Sequence, residues 1–78
     1  MKILEYKVNE KEGLHALPAT EIIRKLNTLK CDITASFNGS MVNAKSPFGL
    51  IALGAKYGDV INLIAEGDDE EKLFELNL

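Results

Sequence analysis

Asp32-Ile33-Thr34-Ala35-Ser36-Phe37-Asn38-Gly39-Ser40-Met41-Val42-Asn43 decides the fold. In its first half Ile33, Ala35 and Phe37 alternate with Asp32, Thr34 and Ser36, the period of a strand buried on one face. Asn38-Gly39 follows. A two-residue type I′ turn needs positive φ at both positions, and this pair tolerates it best. Ser40 to Asn43 is then the returning strand, so the sheet it belongs to is antiparallel.

Upstream, Lys2 to Val8 alternates in the same way, with Leu4, Tyr6 and Val8 against Ile3, Glu5 and Lys7. Asn9 to Gly13 is a polar loop. From Ala16 to about Lys30 the apolar residues Ala19, Ile22, Ile23, Leu26 and Leu29 fall at steps of three and four, which is one helix face. Pro18 fits the first turn, where its missing N–H had no partner to lose. Downstream, Ser46-Pro47 reads as an N-cap followed by N1. It opens a short helix carrying Phe48, Leu50, Ile51 and Leu53, which Gly54 ends. Val60 to Glu66 is a strand with Ile61, Leu63 and Ala65 on one face and Val60 and Ile64 on the other. Asp69-Glu70-Glu71 places acids at the start of a last helix, with Leu73, Phe74, Leu76 and Leu78 to bury. The order is β-α-β-β-α-β-α. It implies an α+β open-faced sandwich, a four-stranded antiparallel sheet with three helices on one face, as one domain over residues 1–78.

Composition excludes several function classes. The chain has 78 residues, 46% hydrophobic and 27% charged, and a net charge of −3. An acidic chain without tryptophan is a poor nucleic-acid binder. No apolar run approaches the ~20 residues that cross a bilayer, and Met1-Lys2-Ile3-Leu4-Glu5 is too short for a signal peptide. The expectation is therefore a cytoplasmic protein with no membrane insertion. Cys31 is the sole cysteine and His15 the sole histidine. Together they supply neither an internal disulfide nor a closed zinc site, so no metal and no cofactor are expected. There is no Gly-rich phosphate loop and no nucleophile–base pair.

The chemistry concentrates in Gly13-Leu14-His15-Ala16-Leu17-Pro18-Ala19-Thr20. It sets the one histidine at a helix start, where free N–H groups and the helix dipole favour an anion. Imidazole is largely neutral near pH 7, so a ring nitrogen is available as a nucleophile. The backbone N–H groups of Ala16 and Leu17 are candidates to meet phosphate oxygens; Pro18 cannot donate and adds rigidity.

Gly13-Leu14-His15-Ala16-x-Pro18-Ala19 resembles the active-site motif of the HPr phosphocarriers of the bacterial sugar phosphotransferase system. Asn38-Gly39 matches that family's hairpin turn, and Val42-Asn43-Ala44-Lys45-Ser46 resembles its regulatory-serine motif. Leu53-Gly54, Gly58 and Ala65-Glu66-Gly67-x-Asp69-Glu70 match later landmarks, in order and at family spacing over essentially the whole chain. The resemblance implies a carrier, not a self-sufficient enzyme. It implies that His15 accepts phosphate on Nδ1 from enzyme I, itself charged by phosphoenolpyruvate, and passes it to enzyme IIA components. It implies a docking face of Thr20, Arg24, Pro47, Phe48 and Ile51, and a monomer. It also implies that Ser46 is a site for HPr kinase/phosphorylase and that a catabolite-control repressor is a further partner.

Three positions depart from the family pattern. Leu17 stands where members nearly always have arginine, and leucine offers no charge-assisted bond to phosphate. Glu12 stands where they tend to have a small polar residue, and its charge repels a phosphate. Pro47 replaces a branched aliphatic residue. A second reading therefore stands beside the first: an HPr-like regulatory module with weak or no phosphotransfer, acting through Ser46 and docking to regulators.

Overall fold

The computed structural model describes residues 1–14 and 16–78; of Ala16 and Leu17 it describes the backbone. Strand β1 spans Lys2–Lys7, helix α1 Ala16–Leu26, strand β2 Asp32–Phe37, strand β3 Ser40–Asn43, helix α2 Pro47–Ala52 and strand β4 Val60–Glu66; a 3₁₀ helix, Glu70–Glu75, follows. The hairpin forms as its sequence dictates. Asn38 and Gly39 have φ of 52° and 84°, and Phe37 faces Ser40 across the two-residue turn. The strand order is β1-β4-β2-β3, and every pair is antiparallel.

The alternation read from the sequence sorts the sheet's two faces. Ile33, Ala35, Ile61, Leu63 and Ala65 point into the core, with Leu4 and Tyr6 packed beside them. Ala19, Ile22, Ile23 and Leu26 of α1, Leu50 of α2 and Leu73 of the 3₁₀ helix cover them. Fully burying each large side chain is worth about 1.5–3 kcal/mol. The opposite face, with Ile3, Glu5 and Asn62, is exposed.

Two elements differ from the sequence expectation. Helix α1 ends at Leu26, not near Lys30. Beyond it the chain tightens into i→i−3 bonds, Thr28 N–H to the Lys25 carbonyl (3.2 Å) and Leu29 N–H to the Leu26 carbonyl (3.1 Å). The Thr28 hydroxyl also donates to the Lys25 carbonyl, at 2.7 Å. Just past the helix, the Leu29 carbonyl accepts the Lys45 ammonium at 2.6 Å. A helix end needs such partners for its last carbonyls. The last helix is 3₁₀, with Lys72 N–H on the Asp69 carbonyl at 3.0 Å. Side chains three apart then share a face. Leu73 is buried and Leu76 packs beside it, while Phe74 is 52% exposed instead of buried.

Asp69 also acts differently from a helix-start acid. It makes no side-chain cap on its own helix. Its carboxylate instead accepts the Lys30 N–H (2.7 Å) and the Cys31 N–H (2.9 Å), tying the 3₁₀ helix to the turn before β2. Gly67 permits this approach: a Cβ there would lie 2.6 Å from the Cys31 Cβ. The Lys30 N–H above all, with the Cys31 thiol and N–H, holds the Asp69 carboxyl below the usual carboxylate range against the opposing pull of burial. Burial first, and then Asp69, push the Cys31 thiol up, so it stays a protonated packing group.

Because the folded-state pKa of Asp69 is depressed, its contribution is full above the unfolded carboxylate value of about 3.9 and fades as pH falls through the folded value. Asp69→Ala is therefore expected to lower the thermal midpoint at pH 7. The difference from the parent should shrink on acidification below about pH 4. Calorimetry across pH checks this; an unchanged midpoint at pH 7 contradicts the clamp.

Candidate functional site

The stretch leading to residue 15 is fastened to the loop after α2. The Val8 N–H donates to the Asp59 carbonyl (2.8 Å) and the Gly58 N–H to the Val8 carbonyl (2.9 Å). The Gly13 N–H closes a turn on the Glu10 carbonyl (2.9 Å), and the Leu14 N–H donates to the Ala55 carbonyl (3.2 Å). The Leu14 side chain is buried. Gly13 has φ of +83°, and a Cβ on it would lie 2.9 Å from the Ala55 oxygen. Glycine is thus required here both by backbone conformation and by the close approach of a second backbone.

His15 lies outside the described residues, as do the side chains of Ala16 and Leu17. Helix α1 opens at Ala16. The N–H groups of Ala16 and Leu17 therefore belong to a first turn with no intrahelical acceptor, at the positive end of the dipole. Such a turn has the chemistry to receive an anion held by the preceding residue.

The second element of the site is the corner between β3 and α2. Ser46 has extended φ and ψ of −101° and 120°, and its Oγ accepts the Gly49 N–H at 3.2 Å. The Leu50 N–H donates to the Ser46 carbonyl at 3.0 Å, beginning the helix, and Pro47 occupies its first position. Asn43 braces the corner from below: its carbonyl accepts the Ser46 N–H at 3.1 Å and its Oδ1 accepts the Lys45 N–H at 2.9 Å. A Cβ on Gly49 would lie 3.1 Å from the Asn43 carbonyl oxygen.

The two α-helices pack against each other, and both turn a face to solvent. On α1 this face carries Thr20 and Arg24, one helical turn apart and both exposed. Arg24 donates to Glu21 at 2.9 Å. An exposed pair of this kind is worth under about 1 kcal/mol, so a competing acid can displace it. On α2 Pro47, Phe48 and Ile51 are exposed, Phe48 to 85%, while Leu50 is in the core. Two nearby cations are occupied: Lys45 by the Leu29 carbonyl and Lys25 by the Asn77 carbonyl at 2.9 Å. Sequence reading missed the part played by residues 55–59. Of these residues the sequence marks only Gly58, yet Ala55 bonds Leu14, Gly58 and Asp59 bond Val8, and Lys56 and Tyr57 are exposed beside them. Among the described residues, no three His, Cys, Asp or Glu side chains group as a metal site, and no helix is long and apolar enough to cross a membrane.

The family model described as the PTS HPr component phosphorylation site matches residues 4–76. The chain belongs to the HPr family. A phosphocarrier protein HPr of Buchnera aphidicola (subsp. Schizaphis graminum) is 42% identical over 71 residues, 91% of this chain and 84% of that protein. The HPr-like protein Crh of Bacillus subtilis is 38% identical over 69 residues, 88% of this chain and 81% of that one. Among solved structures, HPr-C-His from Thermoanaerobacter tengcongensis superposes with a TM-score of 0.88 at 37% identity, over 97% of this chain and 85% of its own. The open-faced sandwich expected from the sequence is thus the fold of this HPr-family chain.

Two substitutions test the local geometry. Gly13→Ala is expected to cost about 1–3 kcal/mol of stability, from the left-handed backbone and the Ala55 contact. Ser46→Ala should cost about 1 kcal/mol, the loss of a cap. Urea denaturation measures both.

Proposed function

We propose that this chain is a cytoplasmic, monomeric phosphocarrier. His15 takes a phosphoryl group through Nδ1 from phosphorylated enzyme I, and an enzyme IIA component removes it. The carrying observation is that the matched phosphorylation-site model runs across residue 15 while α1 opens immediately after it. Phosphoryl transfer asks a protein for positioning and charge stabilisation more than for covalent chemistry. The N–H groups of Ala16 and Leu17 are the donors this chain offers to phosphate oxygens, and Pro18 stiffens the turn behind them. Thr20, Arg24, Pro47, Phe48 and Ile51 form the docking face: an apolar anchor in Phe48, and a cation in Arg24 that exchanges Glu21 for a partner's acid.

A second reading has its own support in the 38% identity to the HPr-like protein Crh and in the placement of Ser46 at a helix cap. In it the chain is a regulatory module. HPr kinase/phosphorylase modifies Ser46, and the phosphoserine's nearly two negative charges change how the α2 face docks on enzyme I and on a catabolite-control repressor.

Incubation with enzyme I and phosphoenolpyruvate separates the two. The carrier reading expects an acid-labile phosphate that His15→Ala abolishes. No label at high enzyme I favours the regulatory module. Leu17→Arg is expected to speed transfer about 10- to 100-fold, the worth of one charge-assisted bond at the transition state; an unchanged rate contradicts the reading of Leu17. Kinase and ATP are expected to label the parent chain and not Ser46→Ala.

A further inference from the structure

We propose that Lys56, on the loop after α2, is the cation that meets the phosphoryl group of His15, in the place where Leu17 supplies no charge; this rests on the carrier reading above. The backbone of Lys56 lies against the approach to the histidine. A Cβ on Gly13 would sit 3.4 Å from the Lys56 Cα, and the adjoining Ala55 carbonyl holds the Leu14 N–H. From Gly13 to His15 is two residues, at most about 7 Å of chain. The four-carbon stem of a lysine covers a comparable distance with its charge at the tip.

The root of that side chain is fixed. The Lys56 N–H donates to Asp59 Oδ2 at 2.8 Å, and the Lys56 carbonyl accepts the Asp59 N–H at 2.9 Å. Lys56 is exposed, and its ammonium pairs with no carboxylate among the described residues. Of the other cations near the two helices, Lys25 and Lys45 are held by carbonyls, and Arg24 lies on the docking face in an exposed pair with Glu21. Lys11 stands between Glu10 and Glu12, which offset its charge. Glu10, Glu12 and Asp59 are the acids on the same two loops, and they oppose the effect of Lys56 on a phosphate.

The test does not depend on enzyme I. Phosphoramidate phosphorylates a histidine directly: its P–N bond breaks, a P–N bond to the imidazole forms, and ammonia leaves. The phosphoryl group of the product is then titrated by phosphorus NMR at low salt. An ammonium beside it favours the dianion, so Lys56→Gln should raise its second pKa by about half a unit. Lys56→Arg should restore the parent value. Lys11→Gln, and Lys72→Gln on the 3₁₀ helix after β4, should leave it nearly unchanged. Equal values for the parent and Lys56→Gln, or a larger shift from Lys11→Gln, overturn the proposal. Failure of the carrier reading shows separately, as a parent chain that enzyme I does not label.

Discussion

The bond from the Leu14 N–H to the Ala55 carbonyl is the constraint on which the site depends. It joins two loops that are far apart in sequence. One carries the only histidine of the chain; the other links α2 to β4. Buried Leu14 on one side and the turn from Lys56 to Asp59 on the other keep the contact in place. Gly13 makes it possible, because any Cβ there would strike the Ala55 oxygen. The proposed phosphoryl transfer would depend on orientation, for which a loop fixed to a second loop is a better platform than a free one.

The sheet sets up this meeting. Because β4 lies between β1 and β2, the end of β1 comes beside the start of β4. The chain leaving β1 and the chain entering β4 then pair through Val8, Gly58 and Asp59 before Gly13 and Leu14 are reached. Helix α1 follows at once, and α2 packs on it. The strand order thus brings the loop before α1 against the loop after α2.

Much of this was legible because the signals are local. Asn38-Gly39 specifies its own turn by backbone sterics, and Ser46-Pro47 its own helix start by a side chain reaching three residues on. Strand alternation gave the buried face directly. What was not legible depends on partners distant in the chain. Asp69 looks like a capping acid, yet its partners are Lys30 and Cys31, 39 and 38 residues away. Lys45 sits in the stretch before Ser46, yet its ammonium holds the Leu29 carbonyl in the turn after α1, 16 residues away. The closing helix read as apolar with acids at its start, which does not separate a spacing of 3.0 from 3.6 residues per turn; that choice decided whether Phe74 was buried. Residues 55–59 carry only turn chemistry in their own composition, and their grip on Gly13 is visible only when β1 and β4 are neighbours.

Amide hydrogen exchange at Leu14 tests the central claim most directly. A bond to Ala55 made beneath a buried side chain should open only with a large part of the structure, giving protection close to that of the β4 amides. Exchange at Leu14 as fast as at the exposed turn residue Lys11 would contradict it, and with it the view that the histidine loop is held by the loop after α2.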